Sequence, residues 1–206
     1  FPILPVVDRS SVNRRLSRTL ENRYSTFETN EKLFTPGGRY ALAIALDFME
    51  VRTGCTVLMP SFHCLSMVAP ILWSGAEIRC YQLKNDLSFD IEDIKQKITI
   101  DTQAIIIVHY FGFPQDLSRL TQICREHGIF LIEDCAHAFF DMDESAKMGS
   151  IGDFAIASLK KFFPVQDGGI VISNGSQPLQ LQQNSVGLIQ QLKYSKNTFE
   201  ESRCFN

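Results

Sequence analysis

Through the middle of the chain, short apolar runs alternate with segments whose apolar residues recur at helical spacing. Residues 55–59, 76–83, 104–108 and the run from Ile129 to Asp134 read as strands, with shorter ones at 154–157 and 170–173. Their length and bulky apolar content fit strands buried on both faces. Between them lie predicted helices. One is opened by Gly37-Gly38-Arg39, carries Ala41, Ile44, Ala45, Phe48 and Val51 on its buried stripe, and ends at Gly54. A second spans 65–73 and stops at Gly75. Asp90 caps a third, with Ile91, Ile94 and Ile98 inward, and Glu92 and Asp93 suit its first turn. Asp116 caps a fourth that carries Leu117, Leu120, Ile123 and Cys124 and closes at His127-Gly128. Strands separated by single helices mean βαβ units, so the fold class is α/β: three αβα layers around a mostly parallel sheet.

The ends are less legible. Residues 1–36 read as an apolar, Pro-containing arm and a helix running from Ser10/Ser11 to about Phe27. Residues 37–175 form the main domain, and 176–206 a Gln-rich helix over about 177–195 with a tail. Composition narrows the function classes. Hydrophobic content of 45%, charge of 21% and a net charge of −3 are ordinary for a globular protein. The one basic cluster, Arg9, Arg14, Arg15 and Arg18, reads as a solvated face, so nothing points to nucleic acid. No stretch approaches the roughly 20 apolar residues that span a bilayer, and no signal peptide is visible. Six cysteines without a Cys-x-x-Cys pair or Cys/His ligand spacing argue for a reducing compartment and against a metal site. The expected location is the cytoplasm.

The chemistry is concentrated at strand ends. Glu133 and Asp134 close a buried strand, where open α/β sheets place their ligands. Downstream come Ser158-Leu159-Lys160-Lys161 and then Asp167-Gly168-Gly169. A strand-end carboxylate, a Ser and Lys on a later loop and a Gly pair behind them suggest pyridoxal phosphate (PLP): a Lys forms the Schiff base and an Asp keeps the ring nitrogen protonated. Each feature alone also fits a capped turn or a solvated Lys pair. Gly37-Gly38, a Gly-rich turn opening a helix, is a natural anion site, or simply a turn.

The order of motifs resembles the DegT/StrS-type sugar aminotransferases, a family of fold-type-I PLP enzymes. The matching segments are Gly37-Gly38-Arg39-Tyr40-Ala41-Leu42, Met59-Pro60-Ser61-Phe62-His63, Val108-His109-Tyr110-Phe111-Gly112, Ile132-Glu133-Asp134-Cys135-Ala136-His137-Ala138, Gly149-Ser150-Ile151-Gly152-Asp153 and Asp167-Gly168-Gly169. The resemblance implies an aspartate-aminotransferase-like large domain. It implies that Asp134 pairs with the pyridine nitrogen, Ala136 packs on one ring face and His137 hydrogen-bonds the phenolic oxygen. Ser158 would donate to the phosphate, with the backbone N–H groups of Gly38, Arg39 and Tyr40.

Three departures matter. In most relatives the Schiff-base lysine lies five residues after the serine, which here is Phe163. Counting back from Gly168-Gly169 selects Lys161 instead and leaves Lys160 as a neighbouring surface or phosphate-side cation. Relatives place an aromatic two residues after Phe62, where this chain has Cys64, so Cys64, His63 or Phe62 is left to cover the ring. The family also continues into a C-terminal small domain, and this chain stops near the end of the large one.

The resemblance implies amino transfer, from glutamate in many relatives, to a nucleotide-linked keto-sugar, by a homodimer. A truncated paralogue that only binds PLP or dimerises, and another fold-type-I reaction, stay open. Lys161 argues against the family's dehydratases, which have His at that place.

Overall fold

The computed structural model describes residues 25–29, 32–141 and 147–175. The arm, nearly all of the first expected helix, the helix over 177–195 and the tail fall outside the described residues. After a short helix α1 (Thr26–Thr29), seven strands form one sheet: β1 (Lys32–Thr35), β2 (Thr56–Pro60), β3 (Glu77–Tyr81), β4 (Thr102–Val108), β5 (Phe130–Asp134), β6 (Phe154–Ser158) and β7 (Gly169–Ser173). Their spatial order is β1-β7-β6-β5-β4-β2-β3. Only β7 runs against its neighbours, β1 and β6; the other pairings are parallel.

Alternation along the strands loads both faces with apolar side chains. Val57, Met59, Ile106 and Ile132 pack with Ala41, Leu42, Ala45, Met67 and Ile71, which lie on α2 (Gly38–Phe48) and α3 (Leu65–Ser74). Leu58, Ile105, Ile107 and Leu131 face the other way, onto Ile94 of α4 (Ile91–Lys97) and Leu120 and Cys124 of α5 (Ser118–His127). The expected three-layer α/β architecture is what forms, and every expected strand is present.

Some boundaries differ. The helix opened by Gly37-Gly38 stops at Phe48, not Gly54. Glu50 adopts a left-handed φ of 54°, its N–H reaches Asp47 O, and Val51 N–H reaches Leu46 O. These bonds close a Schellman motif in which a glutamate fills the position glycine usually holds, so no glycine marks the stop. Gly54 lies in the following turn, with φ 94°. Asp116 sits one residue outside the helix it was expected to cap, with Leu117 at the N-cap, and its carboxylate accepts from Ser118 N–H and Oγ–H. The edge strand β1 was not foreseen: four residues ending just before Pro36, with Phe34 outward, give no periodic signal.

Candidate active site

The carboxyl ends of β2, β4, β5 and β6 and the first turn of α2 surround a cavity of ≈ 440 Å³. It includes the crevice between β2 and β4, where the connections turn to opposite sides, the usual ligand position in such sheets. A smaller hollow of ≈ 260 Å³ lies near the strands' amino ends. There the Asp153 carboxylate is taken up by Leu131 N–H at 2.8 Å.

One wall of the cavity is built from glycine contacts. Gly168 N–H donates to Pro36 O at 3.1 Å, and Leu159 N–H donates to Gly168 O at 2.9 Å. A Cβ on Gly169 would lie 2.4 Å from the Gly37 carbonyl carbon, so no side chain fits where β7 crosses the entry to α2. A Cβ on Gly38 would meet the Ser158 Cβ at 3.5 Å. These contacts hold the first turn of α2 beside Ser158. Gly37 O accepts from Tyr40 and Ala41 N–H, so the Gly38 and Arg39 amides precede the helix's own bonding and face the cavity end. No acidic residue occupies that turn.

The floor holds Asp134. β5 and β6 run parallel, with Asp134 opposite Ile156, so Asp134 and Ser158 emerge at the same end of the sheet. Asp134 is buried, and Ala136 N–H donates to its Oδ1 at 2.8 Å. Burial raises its pKa from the ordinary carboxylate value, against the pull of the Ala136 amide, Lys161 and His137. Its neighbour Glu133, paired with it in the sequence reading as a strand-end carboxylate, points away from the cavity. Glu133 accepts from the N–H groups of Gly149, Ile151 and Gly152 at 2.6–2.9 Å. It also lies 2.8 Å from His109 Nε2. Gln115 N–H donates to His109 Nδ1 at 3.1 Å, which assigns the imidazole proton to Nε2 and makes Nε2 the donor. Burial pushes the Glu133 pKa up, but His109 and the Gly152 and Gly149 amides outweigh it and hold it below the usual value. Two of the sequence motifs, at Val108–Gly112 and Gly149–Asp153, thus converge on Glu133 as structure.

Ser158 leads into a 3₁₀ turn, Leu159–Lys161, and both Lys160 and Lys161 line the cavity. Burial lowers the Lys161 pKa, while Asp134 and Cys64 oppose the shift. Phe163, the residue at the family's usual lysine spacing, lies with Phe162 in an aromatic cluster, their rings 5.2 and 5.7 Å from that of Phe139. Neither phenyl group lines the cavity. His137 does, and its Nδ1 is buried with no hydrogen-bond partner among the described residues. Burial and Lys161 lower its pKa, and Asp134 works against them.

The opposite rim is open. Phe62, His63 and Cys64 are exposed and all line the cavity. His63 Nδ1 lies 2.8 Å from Pro60 O, and Cys64 Sγ lies 2.8 Å from Ser66 Oγ. Tyr110, which the sequence reading left without a role, ties this rim down: its hydroxyl donates to Phe62 O at 2.5 Å. Its place directly after the β4 apolar run was the available signal. The ten residues expected to bind the cofactor all line this one cavity, unlike Glu133: Gly38, Arg39, Tyr40, His63, Cys64, Asp134, Ala136, His137, Ser158 and Lys161.

Comparison with known proteins agrees with this architecture. The chain belongs to the DegT/DnrJ/EryC1/StrS aminotransferase family, whose model matches residues 17–184. It is 34% identical over 140 residues to GDP-perosamine synthase of Vibrio cholerae, covering 66% of this chain and 38% of that protein. The aminotransferase from Psychrobacter cryohalolentis superposes with a TM-score of 0.68 at 22% identity, covering 79% of this chain and 41% of that one. A Bacillus subtilis structure, ntda with bound cofactor PMP, matches at a TM-score of 0.61 and 24% identity, over 78% of this chain and 35% of that one. The chain therefore spans well under half the length of each of these three relatives.

Proposed function

We propose that the protein containing this chain is a PLP-dependent aminotransferase that moves an amino group, from glutamate, onto a nucleotide-linked keto-sugar. The supporting observation is a single cavity that gathers a buried carboxylate, an amine of lowered basicity and an imidazole nitrogen with no partner among the described residues. These residues fit PLP. The free amides of Gly38 and Arg39, with Tyr40 and the Ser158 hydroxyl, suit its phosphate. Asp134, desolvated beside the cavity, suits the protonated ring nitrogen, and His137 Nδ1 suits the phenolic oxygen. Ala136 would pack on one ring face, and His63 and Cys64 would border the other.

Bound PLP supplies an electron sink for the substrate's α-carbon. Asp134 sustains it by holding the ring nitrogen's proton. Lys161 would anchor the cofactor, and once free its Nζ would take the proton from the donor's α-carbon and deliver it to the cofactor's C4′. The name GDP-perosamine synthase, given to a relative, motivates the nucleotide-linked sugar as acceptor. Residues 37–175 are the large domain in this reading, and a second copy of the chain completes a homodimer.

Reductive trapping tests the core of the reading. PLP added to the full chain and reduced with borohydride should leave its label on Lys161 after peptide mapping. Label on Lys160 instead would show that the Gly pair is the wrong anchor for the register, and no label at all would remove PLP binding.

A further inference from the structure

Three residues past β4, Phe111 has φ 55° and ψ 23°, a left-handed conformation that costs an aromatic L-residue free energy. Its ring is not buried in exchange: the residue is 63% exposed. Gly112 follows at φ 88°, and Phe113 N–H closes the turn on Tyr110 O at 2.9 Å. A strained, exposed phenyl group needs a reason beyond local propensity or burial. One contact distinguishes it. The Phe111 ring stacks on the His137 imidazole, with centroids 5.6 Å apart and planes 23° from parallel. Its ring also lies tilted 6.3 Å from Tyr110, whose hydroxyl holds the rim at Phe62. Phe111 itself does not line the cavity, whereas His137 does, so the phenyl supports the imidazole from outside.

His137 is the side chain in the cavity with an unmet need. Its Nδ1 is buried without a partner among the described residues. No hydrogen bond fixes that nitrogen before a ligand arrives, so its ring plane depends on packing. Glycine or asparagine at position 111 would hold the left-handed conformation at lower cost, yet neither would put an aromatic ring against His137.

We propose that Phe111 is a positioning residue: its left-handed backbone aims the phenyl ring at His137 and fixes the imidazole plane so that Nδ1 meets the phenolic oxygen of PLP. This rests on the PLP reading above. It adds a residue that acts through His137 and touches neither cofactor nor substrate.

The test uses the full chain loaded with PLP and reads the pH midpoint of its visible absorbance. A donor to the phenolic oxygen stabilises its anionic form, so a misaligned His137 raises that midpoint. Phe111→Leu should raise it by about 0.3 to 1 pH unit, the scale of an aromatic stack. Phe111→Gly, which relieves the backbone as it removes the ring, should do the same if Leu perturbs folding. Phe111→Tyr should leave the midpoint in place. In a His137→Phe background, Phe111→Leu should have no further effect, because the two residues act as one unit. An equal shift in that background, or none in the wild-type background, overturns the proposal. A wild-type chain with no visible band would instead defeat the PLP reading. Positioning is then read in the cofactor-free chain from the His137 ring protons in NMR spectra. Phe111→Leu should move them downfield, out of the phenyl ring current, and unchanged shifts overturn the proposal.

Discussion

Glu133 and Asp134 are consecutive on β5, and their side chains leave it on opposite faces. On the Glu133 face the loop over 149–152 wraps the carboxylate with three backbone N–H donors, and His109 adds a fourth bond. On the Asp134 face there is a cavity, one amide donor and Lys161 at longer range. Both carboxylates are buried, yet the first is stabilised as an anion and the second is held as a reluctant one. Burial alone therefore does not identify the functional acid. What separates the two is whether the protein itself satisfies the charge. A satisfied carboxylate is architecture, and one facing open space beside a lysine is prepared for a cationic ligand.

The largest effect should come from Asp134→Asn. In the full-length protein that contains this chain, if the proposed activity holds, it should cut keto-acid release from glutamate by about a thousandfold or more, the scale of losing a positioned proton-holding group. The cofactor-free chain should unfold at the same or higher urea concentration, because a desolvated anion has gone. Near-normal turnover would break the assignment.

Glu133→Gln should do the reverse. The amide's own N–H donors would face backbone donors, and stability should fall by about 3 kcal/mol in urea titrations. An unchanged midpoint would make the shell around Glu133 incidental.

The two faces also differ in sign with pH. Glu133 has a lowered folded pKa, so its contribution is present above its unfolded value of 4.5 and is lost as pH falls through the folded value. Asp134 has a raised folded pKa, so the folded chain is relatively favoured below 3.8 and loses that advantage as pH climbs to the folded value. Urea midpoints from about pH 3 to pH 7 should lose the acid-side fall in Glu133→Gln and the rise-linked loss in Asp134→Asn. Identical profiles for the two variants would erase the contrast.

A pair of glycine substitutions sharpens the comparison at smaller scale. A Cβ on Gly152 would sit 2.8 Å from Leu131 O, and one on Gly169 2.4 Å from the Gly37 carbonyl carbon. Each alanine should cost about 1 to 3 kcal/mol of stability. Only Gly169→Ala should also weaken PLP retention, measured by dialysis, because it displaces the cradle on the Asp134 side. Smallest of all, Cys64→Ala on the open rim should change stability by less than about 0.5 kcal/mol in the same urea titration.

Much of this was legible in the sequence because it depends on local signals. Buried strands announce themselves as short apolar runs, and Gly75 and Gly128 mark helix ends through their left-handed φ. Asp134 and the Ser158–Lys161 segment could be located because strand ends in such sheets carry ligand sites, and the other cavity residues through the resemblance of the ordered motifs. The division between Glu133 and Asp134 was not legible. It depends on a loop about 16 residues downstream and on a histidine just past the end of another strand. The end of α2 was hidden because Glu50 takes a conformation its side chain does not advertise. The absence of an aromatic at Cys64 was visible, but no pattern in the chain says what covers that face of the cavity.

The aromatic cluster behind Lys161 has a consequence for how this segment tolerates insertions and deletions. Lys161 hangs between two fixed posts: Leu159, bonded to Gly168 O, and Phe162-Phe163, set among Phe139 and Phe140. One residue inserted between the posts would slide the amine by about 3.5 Å, further than any hydrogen bond stretches. Residues 164–167, by contrast, form an exposed loop outside the posts. The serine-to-lysine spacing, two residues shorter here than in most relatives, falls before the amine, between Ser158 and Lys161, so the count from Lys161 through that loop to the glycine pair is kept.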